Sequence, residues 1–237
     1  MFDVSHMGRI YVYGPDALCL IDNLVTADVT LISEGNAKYC MACQTDGGIL
    51  DDLIVYCLEK EGYLIVCNAG NRNVIWKTLA EQSSNFPNAE IYDRTTETAM
   101  IAVQGPLSIS KLQKITHLKL SSMPLFSIRR FDFQKHPALG ARTGYTGEDG
   151  AEIIVEAVAA NSLWEQLLNN DVIPCGLVAR DSLRLEAALR LWGNDINLTV
   201  NPLEAGLGRF VDFSKQEFTG KQALLKIKEE GIQRKLI

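Results

Sequence analysis

Histidine is scarce in this chain, with three among 237 residues. His6, His117 and His136 lie far apart, and none stands with cysteine, aspartate or serine in motif form, so neither a metal site nor a hydrolytic triad is indicated. No run of about 18 apolar residues exists to cross a bilayer as a helix. Basic charge is not in excess: the formal net charge of −6 is spread without blocks. That distribution offers no stripe for phosphates, and nucleic acid is not an expected partner. The opening Met1-Phe2-Asp3-Val4-Ser5-His6-Met7 lacks the basic and hydrophobic regions of a signal peptide. Gly147-Glu148-Asp149-Gly150 lacks the lysine and the following helix of a phosphate-binding loop. Six cysteines are present, but Cys40-Met41-Ala42-Cys43 has no second pair. They read as structural thiols in a reducing compartment.

What is present is a globular composition, 47% apolar and 22% charged, in a chain long enough to bury a real core. Ile10-Tyr11-Val12-Tyr13-Gly14-Pro15 recurs 91 residues later as Ile101-Ala102-Val103-Gln104-Gly105-Pro106. Each copy reads as a strand, a glycine turn and a helix with apolar residues at helical spacing: Leu18, Ile21 and Leu24, then Ile109, Leu112 and Ile115. The repeat implies an α+β protein of two related split strand-helix-strand, ferredoxin-like subdomains on antiparallel sheets. Residues 53–58 and 63–67 form a hairpin, with a strand expected over 36–43 and helices over 73–79 and 178–190. Asn161 is the expected cap of a helix that buries Leu163, Trp164, Leu167 and Leu168. Loop and strand are expected over 198–207, and a lysine-rich helical tail from Lys215 to Ile237. The first residues are already dense and partly apolar, and the tail ends in mid-pattern, as if both ends lay inside a longer protein.

Three places could carry chemistry. Gly144-Tyr145-Thr146-Gly147-Glu148-Asp149-Gly150 packs three glycines into one turn, either a tight acidic hairpin or a backbone that approaches a ligand. Asp51-Asp52 precedes an apolar strand; adjacent strand residues alternate faces, so the pair is either a turn cap or one buried acid with a use. Arg180 falls in the first turn of its helix, against the macrodipole, and calls for an anionic or polar partner. Glu152 supplies one, in a plain ion pair or as a co-ligand.

Five segments, taken in order, resemble one family. They are Phe2-Asp3-Val4-Ser5-His6-Met7-Gly8, Gly47-Gly48-Ile49-Leu50-Asp51-Asp52-Leu53-Ile54-Val55, Arg142-Thr143-Gly144-Tyr145-Thr146-Gly147-Glu148-Asp149-Gly150, Ala179-Arg180-Asp181-Ser182-Leu183-Arg184-Leu185-Glu186 and Pro202-Leu203-Glu204-Ala205-Gly206-Leu207. Together they are similar to the signature segments of the glycine cleavage system T-protein family. The resemblance implies a tetrahydrofolate-dependent aminomethyltransferase with its sheets around a central folate cavity. A lipoylated H-protein would be its partner, with no nucleic acid or membrane involved, and the enzyme would be a monomer of the cytoplasm in bacteria or the mitochondrial matrix in eukaryotes. By motif, Asp52 is implied as the catalytic acid beside the folate nitrogens. Tyr39, Asn68 and Tyr145 are implied in the pocket, and Glu152 and Arg180 at the polar edge of the pterin. The same match would serve a folate-binding relative without transferase activity, or an inactive fragment.

The resemblance also implies subdomain limits. Residues 11–92 would form one subdomain, 1–10 with 93–211 the other, and 212–237 a helical tail leading to a further domain. Family chains begin several dozen residues earlier and continue into a C-terminal barrel-like domain. Arg209 stands where the family usually has an aromatic residue, and Trp192 replaces a frequent tyrosine.

Overall fold

The computed structural model describes residues 1–236. They divide into two compact units, Met1–Met7 with Arg94–Leu189, and Gly8–Asp93 with residues 190–236. The first unit opens with β1 (Phe2–Asp3). The second then runs through β2 (Gly8–Tyr13), α1 (Ala17–Leu24), β3 (Ala37–Cys43), β4 (Ile49–Glu59), β5 (Gly62–Cys67), α2 (Arg72–Gln82) and β6 (Glu90–Asp93). The first unit resumes with β7 (Thr98–Gln104), α3 (Ser108–Thr116), β8 (Ile128–Phe133), β9 (His136–Ala141), β10 (Gly150–Glu156), α4 (Ala160–Leu168) and α5 (Leu177–Glu186). A last helix, α6 (Lys221–Glu230), belongs to the second unit.

Each unit holds one five-stranded sheet with only antiparallel neighbours, ordered β3-β4-β5-β2-β6 in the second and β8-β9-β10-β7-β1 in the first. Laid on the sequence repeat, β2 matches β7 and α1 matches α3, and the strand orders coincide. The expected α+β fold with two related antiparallel halves is therefore present. Only the outermost strand differs: β6 follows its unit's second helix, whereas β1 comes from the start of the chain. In the second unit Ala17, Leu20, Ile21 and Leu24 form one buried stripe of α1. They pack on Leu53, Val55, Ile65 and Cys67 of the sheet. Ile109, Leu112 and Ile115 of α3 do the same on Ile101, Val103 and Ile153. Each such aliphatic side chain contributes about 1.5–3 kcal/mol through burial.

Several boundaries differ from the sequence reading. The β8–β9 hairpin was not expected, because its turn is Gln134-Lys135, at φ of 52° and 69°, where Asn-Gly is the usual signal for such a conformation. Helix α4 begins before Asn161, with Ala159 at its cap position and a 3-10 turn ahead of it, and Leu168 faces outward. Helix α5 stops at Glu186, since Ala188 turns left-handed at φ 54°. No strand forms over 198–207.

Residues 190–211, expected with the first subdomain, lie in the second unit. Trp192 Nε1 donates to the Ile49 carbonyl at 3.0 Å, and Ile196, Ala205, Leu207 and Val211 pack around Met41 and Ile49. The tail is helical only over α6, whose Leu224 joins that same cluster; Ile237 lies outside the described residues. Lys215 is not helical. Its buried ammonium donates to the carbonyls of Asp22, Val25 and Ala27 and pairs with Asp22 Oδ1 at 2.9 Å, so it caps the C-terminal end of α1.

The two copies of the Gly-Pro turn give a paired test of backbone strain and space. Gly14 and Gly105 have φ of 105° and 115°, but a Cβ on Gly14 would sit 2.0 Å from the Asn88 carbonyl oxygen, and one on Gly105 would meet nothing within 4 Å. Gly105→Ala is expected to cost about 1–3 kcal/mol through strain alone. Gly14→Ala adds a backbone displacement and is expected to cost roughly 2 kcal/mol more. Urea denaturation of the two variants checks the order; equal losses would refute it.

Candidate active site

Asp51 and Asp52 lie inside β4, not ahead of it. The ladder pairs Ala42 with Asp51 and Cys43 with Ile49, so Leu50 bulges out of register immediately before the acids. Bulges of this kind re-aim the side chains beside them. Alternation then separates the pair. Asp51 shares the face of Leu53 and Val55, which pack under the helices, and is wholly buried. Asp52 points to the other face and is half-buried.

The β4–β5 register, with Ile54 opposite Val66, places Asn68 across from Asp52 just beyond the end of β5. Tyr39, opposite Ile54 on β3, is the diagonal neighbour of Asp52 on the same face. The Tyr39 hydroxyl donates to Asp52 Oδ2 at 3.0 Å, and Asn68 Nδ2 donates to Asp52 Oδ1 at 2.8 Å. The Tyr39 ring is in turn met edge-on by Phe210 at 4.8 Å, and the Arg209 guanidinium lies over Phe210 at 4.7 Å. Burial raises the Asp52 carboxyl above the usual aspartate range, against the pull of Tyr39 and Asn68. The expected residues Tyr39, Asp52 and Asn68 thus form one cluster in the second unit.

Tyr145, Glu152 and Arg180 form another, in the first unit. Glu152 on β10 lies between Ala141 of β9 and Ala102 of β7, so no bulky side chain flanks it. Like Asp52, it occupies the sheet face away from the helices, since Ala151 and Ile153 belong to the helix-packed core. Thr143 Oγ1 donates to Glu152 Oε2 at 2.5 Å. Burial raises the Glu152 carboxyl, while the Thr143 bond and the Arg180 charge lower it. The Arg180 guanidinium lies 4.7 Å from the centre of the Tyr145 ring, and its Nη1 is buried with no hydrogen-bond partner. Burial lowers the Arg180 pKa, with Glu152 and Tyr145 opposing. A buried donor left unpaired is costly, and a guanidinium N–H can donate to a planar acceptor. Arg184, one turn on, is instead tied to Asp181 Oδ1 at 2.7 Å and to the Leu189 carbonyl at 3.2 Å.

The glycine-rich turn has a different basis from the one its density suggests. A Cβ on Gly144 would fall 1.9 Å from Gln104 Oε1, and one on Gly150 would fall 2.4 Å from Gln104 Nε2. These glycines make room for the Gln104 side chain, which donates to the carbonyls of Val103 and Thr143 and accepts from Thr146 Oγ1. Arg142 anchors the turn from below, so Asp149, at 2.6 Å from Arg142 Nη2, is a structural partner. Gln104, Thr143, Asn71 and Phe210 were not singled out in sequence. Among the described residues no group of three His, Cys, Asp or Glu side chains could hold a metal ion, and no helix is long and apolar enough to cross a membrane. Burial pushes the Cys40 and Cys43 thiols up to about 12, consistent with structural cysteines.

A family model described as the GCVT N-terminal domain matches residues 1–215. The chain belongs to this family. Its relatives include proteins named aminomethyltransferase from Exiguobacterium sibiricum, 41% identical over 238 residues, and from Halothermothrix orenii, 42% identical over 241 residues. Each alignment takes in 100% of this chain, and 65% and 67% of the relative respectively. The chain therefore spans about two thirds of the length of these family members. The crystal structure of glycine cleavage system aminomethyltransferase T from Bartonella henselae superposes with a TM-score of 0.90 at 34% identity, covering 97% of this chain and 63% of that one. A heterotetrameric sarcosine oxidase from Corynebacterium shares the fold alone, at a TM-score of 0.53 and 15% identity.

Proposed function

We propose that this chain binds tetrahydrofolate and acts in aminomethyl transfer, with a lipoyl-bearing carrier protein of the glycine cleavage type as the donor. The observation that carries this reading is the Arg180 site. Its Nη1 is buried and unpaired, its guanidinium lies over the face of Tyr145, and its charge is felt by the buried Glu152 carboxyl. Together, a guanidinium donor and a carboxylate acceptor complement an aminopyrimidine ring that carries a carbonyl beside an amino group, which is the polar edge of a pterin. Tyr145 offers an aromatic wall to the same ring.

Tetrahydrofolate, when bound, would supply two nucleophilic nitrogens to take up the methylene carbon, with ammonia and the lipoyl thiol released and each carrying off one of the two displaced protons. Asp52, oriented by Tyr39 and Asn68, is assigned the stabilisation of positive charge on the methylene and the orientation of the reacting nitrogens. Tyr39 and Asn68 are assigned to folate binding through their hold on Asp52.

A thermal-unfolding titration tests the reading. Tetrahydrofolate at about a hundred times its Kd is expected to raise Tm by roughly 5–10 °C. Arg180→Ala is expected to lose most of that rise while unfolding at nearly the parent temperature without folate. An unchanged Tm for the parent chain at saturating folate would overturn the reading.

A further inference from the structure

The functional reading gives Asp52 its orientation and leaves its neighbour unexplained. Asp51 is wholly buried, and such a carboxylate is kept only where it is paired or hydrogen-bonded throughout. Its partners are three N–H donors from two asparagines. The Asn68 backbone donates to Oδ2 at 3.1 Å, and the Asn68 and Asn71 side-chain amides donate to Oδ1 at 2.8 and 2.7 Å. The 3-10 turn Ala69–Asn71 is what brings Asn71 back over the strand end. Asn68 Nδ2 also reaches Asp52 Oδ1 at 2.8 Å and the Asp52 carbonyl at 3.0 Å. One amide group thus sits between two carboxylates that point to opposite faces of the sheet.

We propose that Asp51 is a positioning residue for Asp52: it locks the Asn68 amide from behind, so that the amide holds Asp52 Oδ1 while Tyr39 holds Oδ2. Without Asp51, the Asn68 amide loses the acceptor behind it and keeps only the Asp52 carbonyl and Oδ1, so its orientation toward Asp52 is less firmly set. The assignment rests on the transfer reading for its catalytic consequence, but the coupling between the two acids is a property of the chain itself. The same amide transmits charge between them, because an ionised Asp51 and an ionised Asp52 compete for it. Other titratable groups around the pair are Cys67 on β5, the Arg72 and Asp93 ion pair near Cys67, and Tyr39 on β3. Burial pushes Asp51 up to about 7 against the pull of Asn71 and Asn68.

The test is a carboxyl-carbon NMR titration of the chain labelled at aspartate Cγ, with the Asp52 signal assigned by its loss in Asp52→Asn. In Asp51→Asn the Asp52 midpoint is expected to move by about half a pH unit or more. Asn71→Ser removes one donor from Asp51, and it is expected to move the same signal by less; it decides the matter if Asp51→Asn does not fold. With aminomethylated carrier as donor, kcat is expected to fall about tenfold in Asp51→Asn while KM for tetrahydrofolate stays within about twofold. A purely structural Asp51 would lower Tm and leave the Asp52 titration where it was, and that result would overturn the proposal. If the parent chain shows no transfer, the functional reading fails, and the titration still decides whether Asp51 positions Asp52.

Discussion

Asp52→Ala is expected to lower the rate of methylene transfer to tetrahydrofolate by about a thousandfold, with the fold retained. The structural cost of the change is small. Asp52 is half-buried and accepts from the Tyr39 and Asn68 side chains. Of these, Asn68 keeps the Asp51 carboxylate and the residue-52 carbonyl as acceptors. Removing a carboxylate that burial already disfavours also relieves a desolvated charge. The expected change in stability is therefore about 1 kcal/mol or less, of either sign. The catalytic cost is expected to be large because the adjacent carboxylate, Asp51, is held on the opposite face of the strand. Ammonia release from an aminomethylated carrier and thermal unfolding, measured together, check both halves. Transfer within tenfold of the parent rate would remove Asp52 from the chemistry. A folate-stabilised parent chain that releases no ammonia would identify a folate-binding relative without transferase activity.

The largest structural loss is expected from Arg142→Ala, about 3–5 kcal/mol. Arg142 is 7% exposed, and its guanidinium makes four hydrogen bonds. Nη1 donates to the carbonyls of Leu120 and Met123 at 2.6 and 3.1 Å, Nε to Gly150 O at 3.2 Å, and Nη2 to Asp149 at 2.6 Å. Alanine leaves three carbonyl groups without these donors, each at a cost of about 1–3 kcal/mol where water does not replace the bond. Lysine restores the charge without the planar fork and is expected to recover less than half of the loss. Urea denaturation measures the effect, and a loss below about 1 kcal/mol would show that the turn does not depend on this anchor.

The halves of the fold were legible because the Gly-Pro turn repeats and because the apolar spacing of α1 and α3 survives in both copies. Asp52 could be narrowed to one of two adjacent acids from strand alternation; which of them faces the helices needed the register of β4 against β3, and that depends on a bulge at Leu50 that no residue type announces. The β8–β9 hairpin was hidden by a turn built from glutamine and lysine. Two of the three glycines have a reason that was hidden: Gly144 and Gly150 make room for Gln104, forty residues from Gly144 in sequence, whereas Gly147 takes a positive φ of 74°, and volume complementarity between distant positions leaves no local signal. Residues 190–211 carried no periodicity, and their place in the second unit follows from apolar side chains that a loop-like sequence displays only in three dimensions. Arg180 was legible as a cation in an unfavourable place on its helix, although its buried, unpaired Nη1 was not.

The position of β1 has a consequence for assembly. The first unit's sheet is closed by a strand synthesised before the whole of Gly8–Asp93, so its outer pairing, Phe2 with Ala102, joins residues one hundred positions apart. Closing so long a loop in an unfolded chain is entropically costly, and it slows folding. The intervening segment reduces that cost, since its own sheet pairs Ile10 with Asp93 and so brings its entry and exit side by side. Once that sheet has formed, β1 and β7 are separated by a few residues of chain in effect. If the sheet of the inserted segment forms first, it lowers the loop cost of pairing β1 with β7 and serves as a clasp for the first unit's sheet.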